Sequence, residues 1–199
     1  MNSKYFTAKR VALLGILTAL VIVLQLFASA IPMFGVTLNF SLIPIALAGI
    51  TLGWAGGAII GFVCGMVVFI TAALFGGEPL TAFLFQTNPA VLTIMCIGKT
   101  TVAGFISGIL FSVVSKRDKF FAIGVGAVGI PVVNTGIYML GVVIMKESVA
   151  QFFSLTASTA GIVFVAVFTL IWVNFLLEIA ITALFTPLLY RVTKILFEQ

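Results

Sequence analysis

The chain alternates long apolar runs with short polar breaks, and the spacing of the breaks predicts membrane helices. About 20 apolar residues cross a bilayer as a helix. Candidate runs extend from Val11 to Ala30, from Asn39 to Leu52 with Pro44 inside, and from there to near Phe75. Further runs extend from Val91 to Val114, from Phe120 to Met145 with Pro131 inside, and from Gly161 to Tyr190. Ile31-Pro32-Met33-Phe34-Gly35 ends the first run, and Gly53 with the Gly56-Gly57 pair allows a tight turn between the second and third. The stretch from Gly76-Gly77-Glu78-Pro79 through Gln86, Asn88 and Pro89 is too polar for lipid and too apolar for a free loop. It reads as a loop folded onto the membrane domain. The expectation is an all-α polytopic membrane protein of six transmembrane helices, a single transmembrane domain over residues 1–199.

Composition agrees: 62% of the 199 residues are hydrophobic and 8% charged, with 20 Phe and 19 Gly, whereas a soluble domain carries about 25% charged residues. The opening MNSKYFTAKR and its apolar run resemble a signal peptide. The run is long and lacks a small-residue cleavage site before a polar segment, so it reads as a retained first span.

The net charge of +5 is distributed at the ends of the runs. With six crossings, Lys4, Lys9, Arg10, Lys116, Arg117, Lys119, Arg191 and Lys194 fall on the side of the termini, and only Lys146 falls in an opposite loop. The positive-inside rule then predicts that both termini are cytoplasmic, with Glu78, Glu147 and the two long loops outside. Basic residues placed this way are topology signals rather than a nucleic-acid face. No internal repeat is visible, and the six-run reading leaves no extramembrane domain for ATP, so energy must come from ion coupling or a partner.

Several chemistries lack their groups. The chain has no His and one Asp, Asp118, in a basic turn; a hydrolase or metal-dependent enzyme would need a Ser-His pair, a metal cluster or several acids. No catalytic residue, metal or cofactor is expected. Cys64 and Cys96 lie in apolar runs and read as small hydrophobes. Gly98-Lys99-Thr100 has the ending of a phosphate-binding loop, but Thr93 stands at the first glycine position and the intervening residues are apolar. The backbone wrap that holds a phosphate needs those glycines between a strand and a helix. A Ser-Lys dyad with Ser107 fails on reach, since Ser107 is two turns deeper than Lys99.

Lys99 still requires an explanation, because a Lys near a helix centre costs roughly 2.5–3.5 kcal/mol on insertion scales. It either snorkels, pairs with Glu178, or faces a polar cavity and binds an anionic group of a substrate. By residue count Glu178 differs from it in depth. Asn134, just after Pro131, and Tyr138, on the same face by the i, i+4 rule, lie at similar depth to Lys99. Asn174 is midway along the last run, and Gln86 and Asn88 are on the loop that would cover the site. Each of these polar groups is either an ordinary interhelical hydrogen-bonding group or a substrate ligand. In a stand-alone ion-coupled carrier, Glu178 would be the titrating group.

Ala8 and Ala12, then Gly15 and Ala19, place small residues four apart along the first run. Such a stripe lets another helix approach closely, either within the protein or from a separate subunit.

The order of these features resembles the substrate-binding S components of energy-coupling factor (ECF) vitamin transporters. The resemblance covers nearly the whole chain and rests on its size, the six helices, the stripe and the segment NFSLIPIALAGITLGWAGGAIIGFVCGM, in which Pro44, Leu52-Gly53 and Gly57 match the family's pattern. It implies a multi-pass protein of a prokaryotic plasma membrane that captures a vitamin with high affinity. Its implied partners are a transmembrane coupling subunit and two cytoplasmic ATPases, and it is implied to topple in the membrane to release the substrate. By position, Ala12, Gly15 and Ala19 would meet the coupling subunit, Gly15 replacing the family's alanine.

Within that family the expected ligand carries one anion, because one buried cation is available. Pantothenate offers one carboxylate, two hydroxyls and an amide, which suits Lys99 with Asn134, Tyr138, Asn88, Gln86 and Asn174. Thiamine is cationic and opposed by Lys99. The stretch QTNPAVLTIMCIGKT is more similar to pantothenate-specific members than to riboflavin ones, and the glycine-rich pattern of biotin members is not seen. The order of expectation is pantothenate, riboflavin, folate.

Overall fold

A computed structural model describes residues 8–29, 39–153 and 160–197. Among these residues the chain is all helical: α1 (Ala8–Ser29), α2 (Leu42–Val68), a π-helical turn (Phe69–Leu74), α3 (Pro79–Thr87), α4 (Pro89–Val114), α5 (Lys119–Ile144), α6 (Lys146–Phe152) and α7 (Ala160–Phe197). Among the described residues, five helical stretches are long and apolar enough to cross a membrane: Ala8–Ala28, Leu42–Leu74, Pro89–Val114, Lys119–Ile144 and Ile171–Leu196.

That count differs from six because the second and third runs form one helix bent back on itself. Gly53 has φ 79° and ψ −176°, a conformation open to glycine, inside α2. A β-carbon on Gly57 would lie 3.0 Å from the Gly49 Cα, a proximity that a straight helix, rising about 12 Å over eight residues, forbids. The first limb of α2, residues 42–52, therefore folds against the second. It rises only about 16 Å, roughly half the hydrocarbon thickness.

The expected loop at 76–89 contains a short helix. Pro79 stands at its first turn, where a missing N–H costs nothing. The Thr81 hydroxyl donates to the Glu78 carboxylate at 2.9 Å. Asn88 ends α3 and begins α4, accepting the Val91 N–H at 3.4 Å.

Glycines hold α2 against α4. β-Carbons on Gly57 and Gly104 would each overlap the other residue's carbonyl, one on Gly61 would overlap the Thr100 carbonyl, and Gly65 faces Ile97 and Cys96 in the same manner. This backbone-to-backbone seam is the small-residue packing expected where no hydrophobic effect drives helices together. It fixes the face of α4, and hence the direction from which Lys99 leaves the helix. Leu17, Val21, Ile45, Ile60, Leu92, Ile130 and Val142 fill the interior. Large apolar side chains such as Ile16, Phe75, Ile94 and Leu184 lie on the outside, as lipid-facing residues do.

Candidate functional site

A polar cavity opens inside the helical bundle. α4 contributes Lys99, α5 contributes Asn134, Thr135 and Tyr138, and α7 contributes Ile171, Asn174 and Glu178. Gln25 of α1, Asn39, Val68, Thr71, Ala72 and Glu78 complete the wall. Helical spacing accounts for the pairs: Asn134 with Tyr138, and Asn174 with Glu178, lie one turn apart on a common face.

The charged groups are arranged so that each has a role in the wall. The Lys99 ammonium sits over the Tyr138 ring, 4.8 Å from its centre, and a cation over an aromatic face is held by the ring quadrupole. Glu178 is buried and its carboxylate accepts from Asn174 Nδ2 at 3.2 Å and from the Thr135 hydroxyl at 3.5 Å. The Asn39 backbone N–H is a further donor to it. Neutral donors, rather than an ion pair, therefore surround this acid. Lys99 and Glu178 form no salt bridge with each other, although both face the cavity.

Asn134 is 5% exposed, and its side-chain oxygen has no hydrogen-bond partner among the described residues. A buried acceptor left unpaired costs roughly 1–3 kcal/mol, so this amide is a place where a ligand hydroxyl or N–H would be stabilising. The cavity has about 70 Å³ of free volume, above the roughly 10–15 Å³ that a single water needs.

The structure brings four of the predicted substrate residues together: Lys99, Asn134, Tyr138 and Asn174. It does not bring Gln86 and Asn88 there. Both are exposed, on α3 and at its end, and the Asn88 side chain is used as a helix cap. Residues that the sequence reading did not place in a site are Gln25, Asn39, Thr71, Glu78 and Thr135, while Glu178, weighed there only as an ion-pair or titrating group, lines the wall. Thr71 reaches the wall through the π-helical turn, marked by the Phe75 N–H bonding to the Ile70 carbonyl at 3.0 Å. Such turns shift side-chain direction and recur at functional sites. No periodic pattern in the sequence signals it.

A second polar cluster adjoins the cavity. The Ser41 hydroxyl donates to Gln25 Oε1 at 3.0 Å, touches the Asn39 side-chain oxygen, and lies 3.0 Å from Cys64 Sγ. Cys64 and Cys96 are buried free thiols. Ser107 is buried between glycines of α2 and α5, away from the cavity wall.

The small-residue stripe of α1 faces outward. Ala12, Gly15 and Ala19 are exposed, and nothing lies within 4 Å of where a Gly15 β-carbon would stand. Their smallness is therefore not used for packing among the described residues.

Neither curated proteins nor solved structures give a match to the chain. The family model described as "ECF transporter, substrate-specific component" matches residues 9–190. That match spans the bundle, the cavity and the α1 stripe, and the chain belongs to the family of substrate-specific components of ECF transporters.

Proposed function

We propose that this substrate-specific membrane subunit captures a small water-soluble vitamin bearing one carboxylate, with pantothenate the favoured ligand, and that ATP is hydrolysed by partner subunits. The observation that carries the reading is the pairing of one cation, Lys99, with the unpartnered Asn134 acceptor in a single cavity. The carboxylate would meet Lys99, and hydroxyl or amide donors would meet Asn134 and Glu178. Glu178 and Glu78 share the wall, which disfavours folate with its two carboxylates; riboflavin ranks second. The six-crossing topology with cytoplasmic termini is part of this reading. Lys9 Nζ donates to the Leu196 carbonyl at 3.0 Å, so α1 starts where α7 ends, which supports an even number of passes.

The test is calorimetric titration of the purified chain with pantothenate, riboflavin and folate, repeated with Lys99→Met. Tight pantothenate binding that falls by about 10- to 100-fold in the variant, the worth of a charge-assisted hydrogen bond, is expected. Binding of none of the three would move the reading to an ion-coupled carrier. Uptake by the chain alone into vesicles, abolished by collapsing an ion gradient and by Glu178→Gln, would then identify it.

A further inference from the structure

At the basic end of the bundle α4, α5 and α7 form a second concavity, unconnected with the vitamin reading. Its wall includes Lys119 at the start of α5 and Lys194 at the end of α7, over an apolar floor of Phe111, Ile123 and the Tyr190 ring. Neither ammonium has a hydrogen-bond or ion-pair partner among the described residues. The neighbouring acid is occupied: Asp118 caps α5 by accepting the Phe121 N–H at 2.6 Å. Ser115 and Thr193 donate their hydroxyl hydrogens to the Ser112 and Tyr190 carbonyls, leaving the two ammonium groups and the Tyr190 hydroxyl as the donors of this wall without a partner among the described residues.

An apolar groove adjoins it. Phe120 stacks edge-on against Tyr190, with ring centroids 5.5 Å apart, and from Phe120 the groove continues along α5 past Gly124, Val128 and Val132, with Leu110 of α4 and Thr186 of α7 as banks. From residue 120 to 133 the helix rises about 20 Å, longer than one leaflet's hydrocarbon half-thickness of roughly 15 Å. We propose that this surface holds one anionic phospholipid, its phosphate between Lys119 and Lys194 and one acyl chain in the α5 groove. Two cations without a partner among the described residues, beside a groove of acyl-chain length, fit a charged head on an apolar tail better than a soluble anion, which would leave the groove unused.

Native mass spectrometry of the full chain tests this by titration with phosphatidylglycerol and with phosphatidylcholine of identical chains. Each lysine near the surface contributes roughly a factor of five for an anionic lipid, so a preference of about thirtyfold for phosphatidylglycerol is expected. Lys119→Gln with Lys194→Gln should bring it to the phosphatidylcholine level, while Lys146→Gln, beyond the far end of α5, should leave it unchanged. Gly124→Leu should weaken both lipids alike, because a β-carbon there meets Thr186 only at 3.6 Å and the side chain would fill the groove rather than disrupt the bundle. Equal retention of the two lipids, or an unchanged preference in the double variant, would overturn the proposal. So would displacement of the lipid by free glycerol phosphate at matching concentration, which would assign the lysines to a soluble anion. Loss of coupling-subunit binding in the double variant without any lipid preference would assign the patch to a protein and overturn it equally.

Discussion

The Lys99 ammonium lies 4.8 Å from the centre of the Tyr138 ring, on the wall of a cavity that also contains Glu178. The ring holds the cation without neutralising it, so its charge stays available to a ligand. Tyr138→Phe keeps the aromatic face and should change ligand affinity by less than about fivefold, whereas Tyr138→Ala frees the lysine and should weaken binding by about 10-fold or more, given a cation–π worth of roughly 0.5–2 kcal/mol. Calorimetry on both variants reads the difference. Equal losses in the two would show that the hydroxyl, not the ring, matters.

Asn174 holds the buried Glu178 carboxylate through a 3.2 Å hydrogen bond one helical turn away. Removing that donor leaves a buried acid short of a partner, at a cost of about 1–3 kcal/mol. Asn174→Leu should therefore lower the thermal midpoint in detergent. Asn174→Asp should lower it further at neutral pH, because two carboxylates then share the site. Restoration of the midpoint by pairing Asn174→Leu with Glu178→Gln would confirm that the carboxylate is the group being served.

Part of this site was legible in the sequence because membrane helices make polar residues conspicuous. Lys99, Asn134, Tyr138 and Asn174 interrupt apolar runs, and helical spacing alone puts Asn134 and Tyr138 on one face. The rest depended on how irregular backbone folds. Thr71 is turned inward by a π-helical turn, and Glu78 reaches the wall because the chain reverses at Gly76, at φ +69°, before α3 begins. Gln86 and Asn88 have the right chemistry, but the helix at 79–87 directs them outward. Of the seam, Gly57 reads in the sequence as a turn residue, and Gly61, Gly65 and Gly104 are visible there only as a high glycine content, since the partners of small residues emerge from packing.

Gly53 is the hinge on which the α2 reversal depends. Its φ of 79° with ψ −176° lies in a region essentially reserved for glycine, and forcing another residue into it costs about 1–3 kcal/mol. No neighbour lies within 4 Å of a β-carbon there, so Gly53→Ala isolates backbone strain from crowding. A lowered thermal midpoint is expected, with the ligand still bound by the fraction that remains folded. An unchanged midpoint would mean that the reversal does not need this conformation.

Gly15 and Gly57 separate an outer face from an inner seam with the same residue type. A β-carbon on Gly57 would overlap the Gly104 carbonyl, so Gly57→Leu should destabilise the bundle by at least the 1–3 kcal/mol typical of overpacking. Gly15 has open space around it, so Gly15→Leu should leave both thermal midpoint and ligand affinity as they were. If the α1 stripe docks a coupling subunit, the same Gly15→Leu chain should fail to co-purify with that subunit and should not support ATP-driven uptake in reconstituted vesicles. The bulkier side chain keeps the helices of the two proteins apart. Normal uptake by Gly15→Leu, and by the same change at Ala12 and Ala19, would remove the stripe from the docking surface and leave its smallness without a partner.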